Sequence, residues 1–463
     1  MSALTSTVSA IFWGVILLSS LVFVHEAGHY LAARAFGMRV TEFFLGMPCR
    51  WRISHKSADH GTEVGVTPVL LGGYNRICGM EGQAGNLAAP ILELVAKAGR
   101  IEISELASSL AASEDEVCEQ LSVLVDWAAL EPYYDEVAGE SPSQKTWPRS
   151  VQTVQRDANL LTAFDSGHDF SLEGSTAAGE PHALPQGGAA ELLDQERSHT
   201  YQGKGFVARV VTLVAGPLIN VILGMALISG VLGICGVSVP SSSTVIGAVE
   251  DASLAQVAGI QAGDRIESVA GTHVESWTEM GQLLRSSIAA GQPFDVTYER
   301  DGSRLSASVD PASVDNAGKF GITASAEVYH PTFLESISMG WRYFTSTVGY
   351  VAQLFQPAHT AEVVSQSTSI VGISVMASQA AQTGVESFLL LMAAISLSLG
   401  IMNLIPIPPL DGGKLLIELV QLVIRRDISP RVQGYLSYLG LALALVLFFA
   451  VLRQDILRFV IGG

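Results

Sequence analysis

Four stretches of this 463-residue chain, at about 9–33, 207–233, 387–403 and 436–456, are long and apolar enough to cross a bilayer. A single globular domain cannot accommodate four such runs. They dictate a polytopic α-helical membrane protein of about four transmembrane helices, with soluble parts between the spans. The first run, AIFWGVILLSSLVFV over 10–24, leads directly into His25-Glu26-Ala27-Gly28-His29. On one helix His25 and His29 share a face, and their imidazoles can hold one Zn²⁺ at about 2.0–2.1 Å each. Glu26 then stands where a general base for water belongs. Ionisable groups at membrane depth cost at least ~2.5–3.5 kcal/mol each near the centre, which favours a functional site over polar groups snorkelling at a helix end. The run lacks a basic start and an A-x-A cleavage site, so it is read as retained and not as a signal peptide.

Charged residues make up only 15% of the chain and the net charge is −18, which disfavours nucleic acid or anionic headgroups as the main partner. Cys49, Cys78, Cys118 and Cys235 are scattered, with no CxxC spacing, so neither a disulfide framework nor a cysteine zinc site is expected. Arg34, Arg39, Arg50, Arg52 and Lys56 follow the first span. The positive-inside rule therefore puts the His29 end in the cytoplasm and the amino terminus outside. Lys414, Arg425, Arg426 and Arg431 precede the fourth span and point the same way, leaving about 234–386 extracytoplasmic. Arg453 and Arg458 fit this less well.

Domain boundaries follow from changes of pattern. Residues 1–81 join the first span to an alternating apolar/polar stretch, 40–80, that includes Gly72-Gly73-Tyr74 and reads as a membrane-associated β-hairpin loop. Residues 82–137 hold three short helical patterns, the third with a capping box at Ser113 and Glu116, and look like a winged-helix module. Within 88–140 only Lys97 and Arg100 face twelve acidic residues, so a protein partner or a spacer role is expected in place of DNA binding. Residues 138–203 are rich in Ser, Gly, Ala, Pro, Asp and Gln without periodicity, and read as a mostly disordered linker. The second span occupies 204–236. Strand patterns with turn signals fill 237–326, a small α+β domain. The segment 327–386 is amphipathic and aromatic, suited to the interface, and 387–463 holds the third and fourth spans.

Two histidines leave a catalytic zinc short of a ligand. Asn403-Leu404-Ile405-Pro406-Ile407-Pro408-Pro409-Leu410-Asp411-Gly412-Gly413 offers one. Its prolines stop the third run from continuing as a helix, and Gly412 and Gly413 allow a sharp turn beside Asp411. Alone, such a segment reads as a turn. Together with HExxH it supplies His25, His29 and Asp411, with a fourth position open for water, the arrangement of a catalytic zinc. Asn403 reads equally as a helix-end cap or as a hydrogen-bond donor to the substrate backbone or the oxyanion.

At this point the chain resembles the site-2 proteases, and among them the bacterial RseP-like enzymes of regulated intramembrane proteolysis. HEAGH matches their HExxH, NLIPIPPLDGG their NxxPxPxLDG, and Ala215-Gly216-Pro217-Leu218-Ile219-Asn220 the AGPxxN of their second span. Gly72-Gly73-Tyr74 looks like the GGY of their β-loop, and 237–326 looks like their PDZ domain through Ala258-Gly259-Ile260 and Gly263-Asp264-Arg265-Ile266. The resemblance implies zinc held by His25, His29 and Asp411, Glu26 as base, Asn403 at the substrate, and Gly216, Pro217 and Asn220 packed near the site. Gly72, Gly73 and Tyr74 would touch substrate. It further implies a bacterial plasma-membrane enzyme that cleaves single-pass transmembrane proteins, such as anti-sigma factors already trimmed outside, with the PDZ domain as an extracytoplasmic filter. Residues 82–203 depart from the pattern, since family members run from GGY to the second span over a much shorter link. A regulatory or partner-binding insert is the expectation there. The competing readings are a PDZ adaptor with a dead metal site and a zinc-handling transporter; neither needs a base at Glu26.

Overall fold

The computed structural model describes residues 3–457 apart from 71, 81, 145, 315–318 and 427. Helix α1 (Ala3–Ala35) carries the first apolar run and the HEAGH segment in one unbroken helix. Strands β1 (Val40–Leu45), β2 (Ile53–Lys56), β3 (Glu63–Val66) and β4 (Gly73–Ile77) follow, forming a sheet in the order β2-β3-β1-β4. β1 runs parallel to β3 and antiparallel to β4, with Phe43 opposite Asn75 and Leu45 opposite Gly73. The edge strand β4 lies on α1. An ideal Cβ added to Gly73 would stand 3.3 Å from Val22 Cγ1 and 3.3 Å from Glu26 Cγ, an approach that only glycine makes without displacement.

The insert is a folded body. Helix α2 (Ala88–Ala98), strand β5 (Arg100–Glu102), helices α3 (Ile103–Leu110) and α4 (Glu114–Asp126), and strands β6 (Leu130–Tyr133) and β7 (Ser150–Thr153) precede helix α5 (Gly188–Ser198). The strands form a sheet in the order β5-β7-β6, and Ile91, Leu106, Leu121, Trp127 and Val151 bury a common core. Ser113 and Glu116 make the expected capping box at α4.

The expectation of a disordered linker over 138–203 is corrected. β7 is the central strand of the insert's sheet, and Leu192 of α5 enters the insert's core. The order of this segment does not come from apolar periodicity, which is why composition misses it. Aspartates close its loops: Asp157 accepts the N–H groups of Asn159 and Leu161 at 2.8 and 2.9 Å, and Asp165 that of Thr162 at 2.8 Å. A buried ion cluster then ties it to the rest of the chain. Arg39, just past α1, forks onto Asp165 at 2.7 and 2.6 Å and also meets Glu196, which accepts from Arg156 at 2.6 Å.

Helix α6 (Phe206–Cys235) is the second apolar run. The chain divides into two compact units, Met1–Ile228 with Gly340–Gly463, and Ser229–Met339. The second unit holds β8 (Val237–Pro240), β9 (Ile246–Val249), α7 (Leu254–Val257), β10 (Arg265–Val269), β11 (Thr272–His273), α8 (Trp277–Ala289), β12 (Phe294–Arg300), β13 (Ser303–Val309), β14 (Ile322–Ala324) and β15 (Ala326–Tyr329). Its main sheet runs β11-β10-β12-β13, with β14 pairing β9 and β15 pairing β8. It has its own core around Ile266, Val269, Met280 and Val296. Asp264 is buried in the glycine-flanked turn and accepts a bidentate pair from Arg300 at 2.7 Å and 2.7 Å.

Six helices complete the chain: α9 (Phe333–Gln353), α10 (Thr360–Gln366), α11 (Ile370–Thr383), α12 (Val385–Asn403), α13 (Asp411–Ile424) and α14 (Pro430–Asp455). Among the described residues α1, α6, α12 and α14 have the length and apolarity of membrane spans, matching the four expected runs. The segment 327–386 holds three helices, α9, α10 and α11, before α12 begins at Val385. Its last helix, α11, packs on α1, where Ala377 buries against Leu17 and Leu21. Gly412 and Gly413 also differ from expectation: they make no turn, but lie in the first turn of α13. Ideal Cβ atoms there would collide with the backbone of Leu404 and Pro408, so the glycines serve close packing of the proline loop onto the helix start.

Candidate metal centre

Two turns of α1 and the first turn of α13 bring the expected ligands together. His25 and His29 stack edge to face with ring centroids 4.9 Å apart, as the four-residue helical spacing requires. His25 Nε2, His29 Nε2 and Asp411 Oδ2 form a nearly equilateral triangle: 3.3 Å between the imidazoles, and 3.2 Å from each to the carboxylate. Ligands at about 2.0–2.1 Å around a tetrahedral zinc stand about 3.3–3.4 Å apart, so the three donors fit that metal. Both histidines are buried, and among the described residues this is the cluster able to hold a metal ion.

A hydrogen bond behind His29 fixes the proton on its Nδ1. His29 Nδ1 lies 2.7 Å from the Thr212 carbonyl, which can only accept, so Nδ1 carries the proton. In the neutral imidazole Nε2 then aims a lone pair at the Asp411 carboxylate, an arrangement that suits a cation between them. Behind His25, the Asn220 carboxamide nitrogen Nδ2 lies 3.4 Å from Nδ1, and Ser396 donates to the Asn220 main-chain carbonyl at 2.8 Å.

Small residues let α6 reach this depth. An ideal Cβ on Gly28 would stand 2.5 Å from the Ala215 carbonyl oxygen, and one on Gly216 would fall on His29 Nε2. The Ala-Gly-Pro motif is thus the surface on which the HEAGH face sits.

Glu26 borders the same cavity of about 210 Å³, together with Gly73, Tyr74, Asn75, Met80, Leu213 and Lys414. Its carboxylate is not free: Asn75 Nδ2 donates to Oε2 at 2.6 Å. Among the sequence-predicted residues, His25, Glu26, His29, Asp411, Gly73 and Tyr74 converge on this cavity. Gly72 precedes β4 outside its lining, and Asn403 ends α12 without lining it. Thr212 and Asn75 escaped the sequence reading. Thr212 lies one turn before the AGPxxN motif, a signal that could have drawn notice; Asn75 adjoins GGY but carries no pattern of its own.

A model of peptidase family M50 matches residues 13–147 and 171–447. The chain belongs to this family. M50 peptidases are membrane metalloproteases of the site-2 type and use zinc, and this chain is a membrane zinc metalloprotease. Across 96% of its length the chain is 26% identical to the regulator of sigma-W protease RasP of Bacillus subtilis, covering 97% of that protein. It is likewise 26% identical, over 96% of its length, to the zinc metalloprotease RasP of Bacillus licheniformis, covering 98% of it. Within the family match, the unmatched stretch 148–170 contains Arg156 and Asp165 of the buried ion cluster.

Proposed function

We propose that this M50 peptidase hydrolyses peptide bonds inside the membrane, in the transmembrane segments of single-pass proteins. The observation that carries this reading is the donor triangle of His25, His29 and Asp411, set on a helix apolar enough to span the bilayer. Zinc bound there supplies Lewis-acid chemistry, activating water and polarising the scissile carbonyl. His29 is oriented by Thr212 and His25 is backed by Asn220. Glu26 accepts the proton of the attacking water and returns it to the leaving amide nitrogen. Asn403, at the end of α12, hydrogen-bonds the substrate backbone once substrate draws the site together.

The unit 229–339 acts as a PDZ domain that screens substrates outside the membrane, anti-sigma factors trimmed by a first protease among them. A small four-stranded sheet and a buried Asp264 in the glycine-flanked turn support the domain reading, and the name of the Bacillus subtilis relative supports a role in sigma-factor regulation. The cations after α1 favour a cytoplasmic active-site end in a bacterial plasma membrane. The order helix–strand–helix–helix–strand–strand over 88–153 supports a winged-helix module whose acidic surface meets a protein partner.

Glu26→Gln tests the reading. The variant is expected to bind zinc as the parent does and to lose ~10²–10⁴-fold in cleavage. Unchanged cleavage would remove Glu26 from the chemistry. Absence of cleavage by the parent, with single-pass proteins still bound, would leave an adaptor.

A further inference from the structure

We infer that Asn75 is a positioning residue for Glu26: its carboxamide holds the general base in place beside the metal ligands. This rests on the reading of Glu26 as the base. Asn75 Nδ2 donates to Glu26 Oε2 at 2.6 Å and lies 3.2 Å from the Glu26 main-chain carbonyl oxygen. Both N–H groups of one amide are thus directed at one residue, the side chain and backbone of the catalytic glutamate.

The strand that carries Asn75 is pinned. Gly73 and Asn75 alternate onto the face of β4 that meets α1, and the missing Cβ of Gly73 lets the strand close on Glu26. Tyr74, between them, stacks on Phe44 of β1 with centroids 5.4 Å apart and planes 7° from parallel. β1 pairing sets Asn75 opposite Phe43. The amide therefore reaches Glu26 from a fixed frame rather than from a loop free to drift.

The chemistry suits a neutral donor. A base must stand within about 2.6–3.2 Å of the proton it takes, and a glutamate has three rotatable bonds over which to miss. Anchoring Oε2 leaves Oε1 for the incoming proton. An aspartate at this position would confront Glu26 with a second carboxylate and no donor. A lysine would pair with it as a full charge and compete for the electrons the base needs.

The test uses the full-length protein in detergent with a quenched transmembrane peptide that the parent cleaves. Asn75→Ala is expected to lower kcat about 10–100-fold, to leave KM within about 2-fold, and to leave bound zinc at the parental ratio. Asn75→Asp, the closest match in shape, is expected to be worse than Asn75→Ala. Asn75→Gln, which keeps the donor, is expected to be better than both. A residue that merely filled space would give the opposite order, with Asp milder than Ala. The inference is overturned if Asn75→Ala stays within about 2-fold of the parent, or if Asp is milder than Ala. Should Asn75→Asp lose its zinc, Gln against Ala decides, and Gln at or below Ala overturns the inference. Glu26→Gln separates the two levels: if it stays active the reading of the base fails, and if it is dead while the Asn75 variants are normal only the positioning role fails.

Discussion

Arg39 and Asp165 are 126 positions apart, yet the guanidinium of one forks onto the carboxylate of the other at 2.7 and 2.6 Å, both nearly inaccessible to solvent. Arg39 sits between the HEAGH helix and β1, so this contact fastens the insert to the end of α1. Arg39 also meets Glu196, which binds Arg156, and two carboxylates thereby balance two guanidiniums away from water.

Removing one member should expose the dependence. Arg39→Ala leaves Asp165 and Glu196 buried without their shared cation and is expected to cost about 3–5 kcal/mol. Thermal unfolding would register the loss. Limited proteolysis should open new cuts within 138–200, where the folded parent is expected to resist.

The same pair sets an acid limit on stability. Burial by itself raises the Asp165 carboxyl, but the Arg39 hydrogen bonds and charge hold it at about 2, against the ordinary 3.8. A carboxyl lowered by folding stabilises the folded state above its unfolded value and loses that contribution as pH falls through the folded one. Stability should therefore drop between about pH 4 and 2, followed by the fluorescence of Trp127 in the insert's core. In Arg39→Ala the Asp165 contribution to that drop should be missing.

Gly216→Ala should be harmful despite improving helix propensity. The added methyl falls on His29 Nε2, so either the imidazole or α6 must move. Zinc affinity is expected to fall at least 10–100-fold, read by metal analysis after dialysis against a graded chelator. Retained zinc at parental affinity would show that the two helices part without disturbing the ligand.

Removal of the metal should act on cleavage and not on the insert. Treatment with a chelator is expected to abolish substrate cleavage and readdition of Zn²⁺ to restore it, while the susceptibility of 138–200 to limited proteolysis is expected to stay unchanged. The segment is held by Arg39, Asp165, Glu196 and Arg156, which stand apart from the His25, His29 and Asp411 triangle.

Much of this was legible in the sequence because helices write their contacts at fixed intervals. An apolar run of bilayer length specifies a spanning helix wherever it lies, and the His25–His29 spacing puts two imidazoles on one face before any partner is known. The alternation over 40–80 marked strands for the same reason. Residues 138–203 were misread because their order is written in single polar contacts, Asp157 to backbone N–H groups and Asp165 to Arg39, which have no period and leave no compositional trace. Gly412 and Gly413 were misread because glycine serves a turn and a close packing contact equally, and only the neighbouring backbone distinguishes them.

The sequence by itself determined the four apolar helices, the paired histidines with Glu26 between them, and the broken segment that carries Asp411. Local geometry and transfer free energy decide those matters within a few turns of chain. Tertiary structure alone decided that Asp411 closes a triangle with His25 and His29, that Thr212 fixes the His29 proton, that Asn75 grips Glu26, and that Arg39 binds the insert. Each of these joins residues from different elements, and which atoms meet depends on helix approach and strand register. Those are set by the packing of the whole chain, which no local pattern encodes.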